Sequence, residues 1–209
     1  MHRREFLYVT GMGLLSGPAL LTGPAQAHTD HADRTPAAGR QVVQIPAPSF
    51  TLRDQDGRSF VFQSWRQRTV AVTFGYTTCP DICPLLAANF ALIQQDLPED
   101  ARARTGLLFI TTDPEHDTAA VLQEYGARLG ADFATWKFLT GDVTQMRPVW
   151  RGFGVSVQKF GRGQVDHTTL TTLVDREGLR RVNYYGTRWD PETLRHDVVA
   201  LAYGEVSQL

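Results

Sequence analysis

The chain has 209 residues, of which 42% are hydrophobic, 10% aromatic and 21% charged, with a formal net charge of −1. This is ordinary globular composition, which excludes a disordered tail and a coiled-coil or collagen-like rod, and the near-zero charge excludes a broad cationic face for nucleic acid. Two cysteines are too few for a disulfide scaffold, and no run approaches the roughly 18 clean apolar residues of a membrane span.

The N-terminus has a short basic start, Arg3-Arg4, before Phe6-Leu7 and a weakly apolar stretch from Leu7 to Leu21. Gly11, Gly13, Gly17 and Pro18 weaken that stretch as a membrane helix. It ends at Ala25-Gln26-Ala27, a small-x-small pattern that a signal peptidase accepts. Residues 1–27 therefore read as a cleavable export signal, and the paired arginines resemble a twin-arginine signal. The expectation is a soluble mature protein in a periplasmic or other extracytoplasmic space. Residues 28–46 are polar and aperiodic, contain Pro36 and Pro46, and read as a flexible leader. Cleavage after Ala27 would leave His28 first and His31 close behind, a possible Cu(II) chelate of the terminal amine. The domain is expected over 47–209.

Within it, Phe50–Leu52 and Ser59–Phe62 flank Asp54-Gln55-Asp56-Gly57, a hairpin signal. Thr69–Tyr76 is β-branched and aromatic and reads as a central strand. Pro84 to Leu97 has helical apolar spacing. Gly106–Thr112 is a second buried strand, and Asp113-Pro114 reads as the start of a helix reaching about Leu129. Trp136–Leu139 is a short strand, and Asp142 caps a helix to about Arg151. Val155–Phe160, Thr168–Val174 and Arg181–Tyr185 follow as strands, and Asp190-Pro191 opens the last helix. The order predicts an α/β protein with a mixed central sheet and helices on both faces.

The cysteines stand in Thr77-Thr78-Cys79-Pro80-Asp81-Ile82-Cys83-Pro84, where a buried strand gives way to a helix. Free N–H groups and partial positive charge at a helix N-terminus lower a thiol's pKa. One helical turn between the cysteines puts both sulfurs on one face. They can bridge to each other or clamp a soft metal ion. A structural disulfide fits less well, because so short a loop gains little chain-entropy stabilisation. Two thiolates make an incomplete metal site, and the available third donors are His116, His167 and His196, with His28 and His31 in the leader. His167 precedes a strand beside a hairpin loop. His116 and His196 read as solvated, and Asp113 and Asp117 as either helix-capping residues or groups behind the ligands.

The stretch Tyr76–Pro84 resembles the copper-binding loop of the Sco/SenC family. Asp113-Pro114-Glu115-His116-Asp117-Thr118 through Tyr125 resembles that family's second motif, and Val165-Asp166-His167-Thr168 its third, in family order. The resemblance spans roughly Ala47 to Leu201. It implies a thioredoxin-like three-layer fold with a hairpin insertion over Val155–Gln164. It also implies copper, Cu(I) or Cu(II), held by Cys79, Cys83 and His167. The implied role is a metallochaperone rather than an enzyme, building the dinuclear copper centre of a terminal oxidase or a related copper enzyme. The implied partners are the apo acceptor, a copper donor chaperone and a thiol reductant. Many relatives are tethered by a transmembrane helix, whereas this chain begins with a signal that reads as cleavable. The same cysteines could instead act as a thiol-disulfide redox pair that reduces the acceptor's cysteines. A peroxide-reducing enzyme and a metal-free redox sensor are the remaining readings.

Overall fold

A computed structural model describes residues 39–160 and 164–209. The export signal, His28, His31 and the leader as far as residue 38 lie outside the described residues. In chain order the elements are β1 (Arg40–Pro46), β2 (Thr51–Arg53), β3 (Ser59–Val61), β4 (Thr69–Gly75), α1 (Ile82–Asp96), α2 (Glu99–Ala103) and β5 (Thr105–Thr111). They continue with α3 (Ala119–Arg128), β6 (Trp136–Leu139), α4 (Val143–Phe153), β7 (Val157–Phe160), β8 (Gln164–His167), β9 (Leu170–Val174), β10 (Leu179–Tyr185) and α5 (Pro191–Tyr203).

The sequences of β4, TVAVTFG, and β5, TGLLFIT, are buried along their whole length. Their side chains alternate between two cores, as the pleat requires. Val70, Val72, Phe74, Leu108 and Ile110 enter one core, while Ala71, Leu107 and Phe109 enter the other. Strands apolar on both faces need cover on both, and a parallel pair needs a crossover, which α1 supplies between β4 and β5. The six-stranded sheet runs β1-β10-β9-β4-β5-β6, with β4, β5 and β6 parallel and the other neighbours antiparallel.

Over one face pack Leu86, Phe90 and Ile93 of α1, Leu122 and Tyr125 of α3, and Leu194, Val198 and Leu201 of α5. Each such aliphatic or aromatic side chain contributes about 1.5–3 kcal/mol on full burial. Over the other face pack Met146, Val149, Trp150 and Phe153 of α4, with Leu52 and Phe60 of the β2–β3 hairpin. This is the expected thioredoxin-like three-layer architecture. The insertion is the antiparallel β7–β8 hairpin between α4 and β9.

Two expectations need correction. Residues 40–46 are an edge strand rather than part of a flexible leader. Their backbone pairs antiparallel with β10, and Arg40 Nε donates to the buried Asp197 carboxylate of α5 at 2.6 Å. The helix expected from Asp113 begins instead at Ala119. Thr118 is its cap, accepting the Val121 N–H, and the preceding acidic residues form a turn. Among the described residues, no helix is long and apolar enough to cross a membrane.

Candidate metal centre

Strand β4 ends at Gly75, and the chain turns through Tyr76–Asp81 into α1. Gly75 is needed for its missing side chain. A Cβ there would lie 3.0 Å from Cys83 Sγ and 3.1 Å from the Phe109 ring. Cys83, the second residue of α1, is 1% exposed, and Cys79 in the turn is half-buried; both are free thiols. Asp81 precedes α1 without a side-chain capping bond. The Cys79 sulfur takes that place, accepting the Cys83 N–H at 3.4 Å. Pro84 has no N–H to satisfy, which suits the first turn of a helix.

This seating separates the two thiols electrostatically. Burial opposes ionisation of Cys79, but hydrogen bonds from Cys83 and from the backbone N–H groups of Asp81, Cys83 and Ile82 outweigh it. The Cys79 pKa therefore falls below the ordinary 9.0. Burial pushes Cys83 up to about 12, with the neighbouring Cys79 as the next cause. Cys79 is therefore the more acidic of the two thiols, and Cys83 is held protonated by its burial.

His167 ends β8, opposite Val157 across the hairpin. Its Nδ1 lies 3.1 Å from the Thr168 carbonyl, which can only accept, so Nδ1 carries the ring proton and Nε2 keeps its lone pair. Burial lowers its pKa, which keeps the ring neutral and fit to ligate. Tyr76 touches both halves of the site. It meets the His167 ring edge-on at 6.1 Å, and it is buried in one apolar cluster with Cys83 and Val165, against which Cys79 and Val157 pack. Among the described residues, no three His, Cys, Asp or Glu side chains are gathered closely enough to hold one ion. The two sulfurs are brought together, and the imidazole is brought against the Tyr76 ring.

The acidic turn holds both halves. Asp117 is fully buried and accepts from the Thr77 N–H at 3.1 Å, the Thr77 hydroxyl at 2.5 Å and the Thr111 hydroxyl at 2.6 Å. It thereby ties the approach to Cys79 to the end of β5. His116 Nδ1 lies 3.0 Å from the same carboxylate. Asp113 and Glu115 form ion pairs with Lys159 of β7. Neither Asp113 nor Asp117 caps α3. His196 lies on α5 with its Nδ1 3.5 Å from Asp197, and its side chain is 60% exposed. The sequence alone gives no individual role to Tyr76, Thr77 or Lys159. An aromatic residue at the strand end was the one available signal, and Lys159 had none.

The SCO1/SenC family model matches residues 39–202. A SCO2-like protein of Rickettsia prowazekii (strain Madrid E) is 31% identical over 149 residues, covering 68% of this chain and 70% of that protein. The structure of Bradyrhizobium japonicum ScoI with copper bound matches with a TM-score of 0.65 and 27% identity, covering 75% of this chain and 99% of the other. BsSco, a member of the Sco family of cytochrome c oxidase assembly proteins in which a disulfide switch was identified, shares the fold. Its TM-score is 0.67 at 24% identity, with 78% and 97% of the two chains covered.

Proposed function

Because the chain belongs to the SCO1/SenC family, we propose that it is an extracytoplasmic copper chaperone. It would bind one copper ion through Cys79, Cys83 and His167 and deliver it to the dinuclear copper centre of a terminal oxidase or a related copper enzyme. The observation that carries this reading is the pair of free thiols at the β4–α1 joint, one of them acidified, with a neutral imidazole against Tyr76 of the same cluster. The copper-bound state of B. japonicum ScoI supports it. Thiolates are soft and favour Cu(I), while imidazole accepts either oxidation state. Three donors leave an open side for an acceptor's ligand, unlike the four closed ligands of a structural zinc site. The three side chains are not gathered around one point among the described residues, so binding through all three requires His167 and the sulfurs to come together.

Copper is the cargo, loaded by a donor chaperone while a thiol reductant keeps both cysteines open. The test mixes copper-loaded protein with the apo copper domain of an oxidase subunit and follows that domain's copper spectrum. Growth of the spectrum with matching loss of copper from this chain is the expected result. No transfer from a fully loaded chain overturns the reading.

The unequal thiols favour a second reading, reduction of the acceptor's disulfide. Cys79 thiolate attacks one acceptor sulfur to form a mixed disulfide and release the other as a thiolate. Cys83 then loses its proton and attacks Cys79 Sγ, closing the Cys79–Cys83 disulfide and freeing the second acceptor thiol. Two-electron reduction of an acceptor disulfide by copper-free protein supports this reading, and its failure while copper transfer persists removes it. Export through a twin-arginine signal over residues 1–27 belongs to the same proposal. Mass spectrometry of the mature N-terminus checks it, together with the His28 chelate.

A further inference from the structure

Among the described residues, the three-donor site leaves two imidazoles unused, His116 and His196. His116 lies in the turn after β5, with its side chain 50% exposed. Its Nδ1 is 3.0 Å from the Oδ1 of Asp117 and 3.5 Å from the Thr77 hydroxyl, two residues before Cys79. Asp117 is fully buried and already bound to the Thr77 N–H, the Thr77 hydroxyl and the Thr111 hydroxyl. A carboxylate held this firmly fixes the ring that donates to it and selects the tautomer in which Nδ1 carries the proton. Nε2 is then the nitrogen with the free lone pair, on a half-exposed ring. A carboxylate behind an imidazole is the arrangement that orients metal-ligating histidines and raises their basicity. Here it stands at the edge of the cysteine loop, on the acidic turn whose Asp113 and Glu115 also fasten the hairpin of His167.

We propose that His116 is a transient copper ligand through Nε2, receiving the ion on its way to Cys79 and Cys83 and passing it outward again on release. This rests on the copper reading above. During uptake one bond from copper to its donor breaks as the Cu–Nε2 bond forms. Sulfur–copper bonds then form as the Cu–Nε2 bond breaks, and the thiol protons leave to water. The ion stays Cu(I), so no electrons change hands. A ligand used only on the path lowers the barrier equally in both directions. His116 therefore sets rates rather than the resting state.

The test uses reduced full-length protein, a chromophoric Cu(I) chelator and stopped-flow absorbance, with uptake from the chelate and release to excess chelator measured separately. His116→Ala and His116→Gln are expected to slow uptake and release by the same factor, roughly tenfold, or about 1.4 kcal/mol in barrier. Added imidazole restores the His116→Ala rates while leaving wild type little changed, which a merely structural role would not give. His196→Ala, an exposed histidine beside an aspartate on α5, is the control and keeps wild-type rates. Unchanged rates in the His116 variants overturn the inference. Slowing in one direction only, or slowing that imidazole does not relieve, overturns it as well. If wild type itself takes up no Cu(I), the copper reading fails first, and the two failures are distinguishable.

Discussion

The cysteine loop and the β7–β8 hairpin meet at Tyr76, but they are anchored very differently. The loop leaves a strand paired on both sides, β4 between β5 and β9, and enters a helix whose apolar face fills a core. Cys83 rests on the bare backbone of Gly75, and Asp117 grips Thr77 from behind. Among the described residues the hairpin strands pair only with each other, and Gln158, Lys159 and Phe160 are exposed. A two-stranded hairpin is marginal alone. This one is held by Val165 in the Tyr76 cluster, by Lys159 on Asp113 and Glu115, and at its base by the Thr168 N–H to the Ser156 carbonyl at 3.0 Å. The sulfurs are thus set by the global fold and the imidazole by a slender arm. Elements with few buried contacts open at low free-energy cost. Under the proposed function, retention of copper would fall to the first region and its surrender to the second.

The largest effect should come from the loop. Cys83→Ser is expected to abolish one-to-one copper binding in a Cu(I) competition titration while thermal melting stays cooperative. Tight binding by that variant would break the contrast at once. His167→Ala tests the arm. Cu(II) affinity should fall by roughly 100-fold, about 2.7 kcal/mol, while Cu(I) binding through two thiolates suffers less. Equal losses in both oxidation states would mean that the arm is as essential to retention as the loop.

Smaller effects should appear in stability. Asp117→Asn leaves buried donors poorly matched and should cost about 1–3 kcal/mol in urea unfolding. Lys159→Met should cost under about 1 kcal/mol, because its ion pairs are partly solvated. Its signature is faster amide exchange confined to the hairpin, and equal acceleration in α1 would erase the distinction between the regions.

The faintest effect is a pH dependence. Burial holds the folded His167 pKa below the ordinary 6.5. As pH falls below 6.5 the unfolded chain binds that proton first, so stability is lost there and levels off once the folded imidazole also protonates. His167→Ala should lack this component when denaturation midpoints are compared between pH 7 and 5.

How much of this was legible in the residues follows the same divide. The central strands, the hairpin across Asp54–Gly57, Trp136–Leu139 and the Asp190-Pro191 helix start carry their signals locally, and the structure has them there. The cysteine pair was legible because its chemistry lies within one turn of chain. β1 was not, since RQVVQIP is largely exposed and owes its form to a partner strand far along the sequence. Asp113-Pro114 looks like a helix start, but the three-dimensional demands on Asp117 and Lys159 hold that stretch as a turn and move the cap to Thr118. His167 could be singled out as a candidate ligand only by resemblance, because its place against Tyr76 depends on tertiary packing between segments far apart in sequence.

The Cys83 sulfur, sealed between the end of β4 and the first turn of α1, also gives the protein an internal clock. A bulky maleimide can reach that atom only when strand and helix part. The slow phase of labelling, after the fast reaction at Cys79, should therefore read out spontaneous opening of the whole domain under native conditions, with no denaturant and no engineered probe.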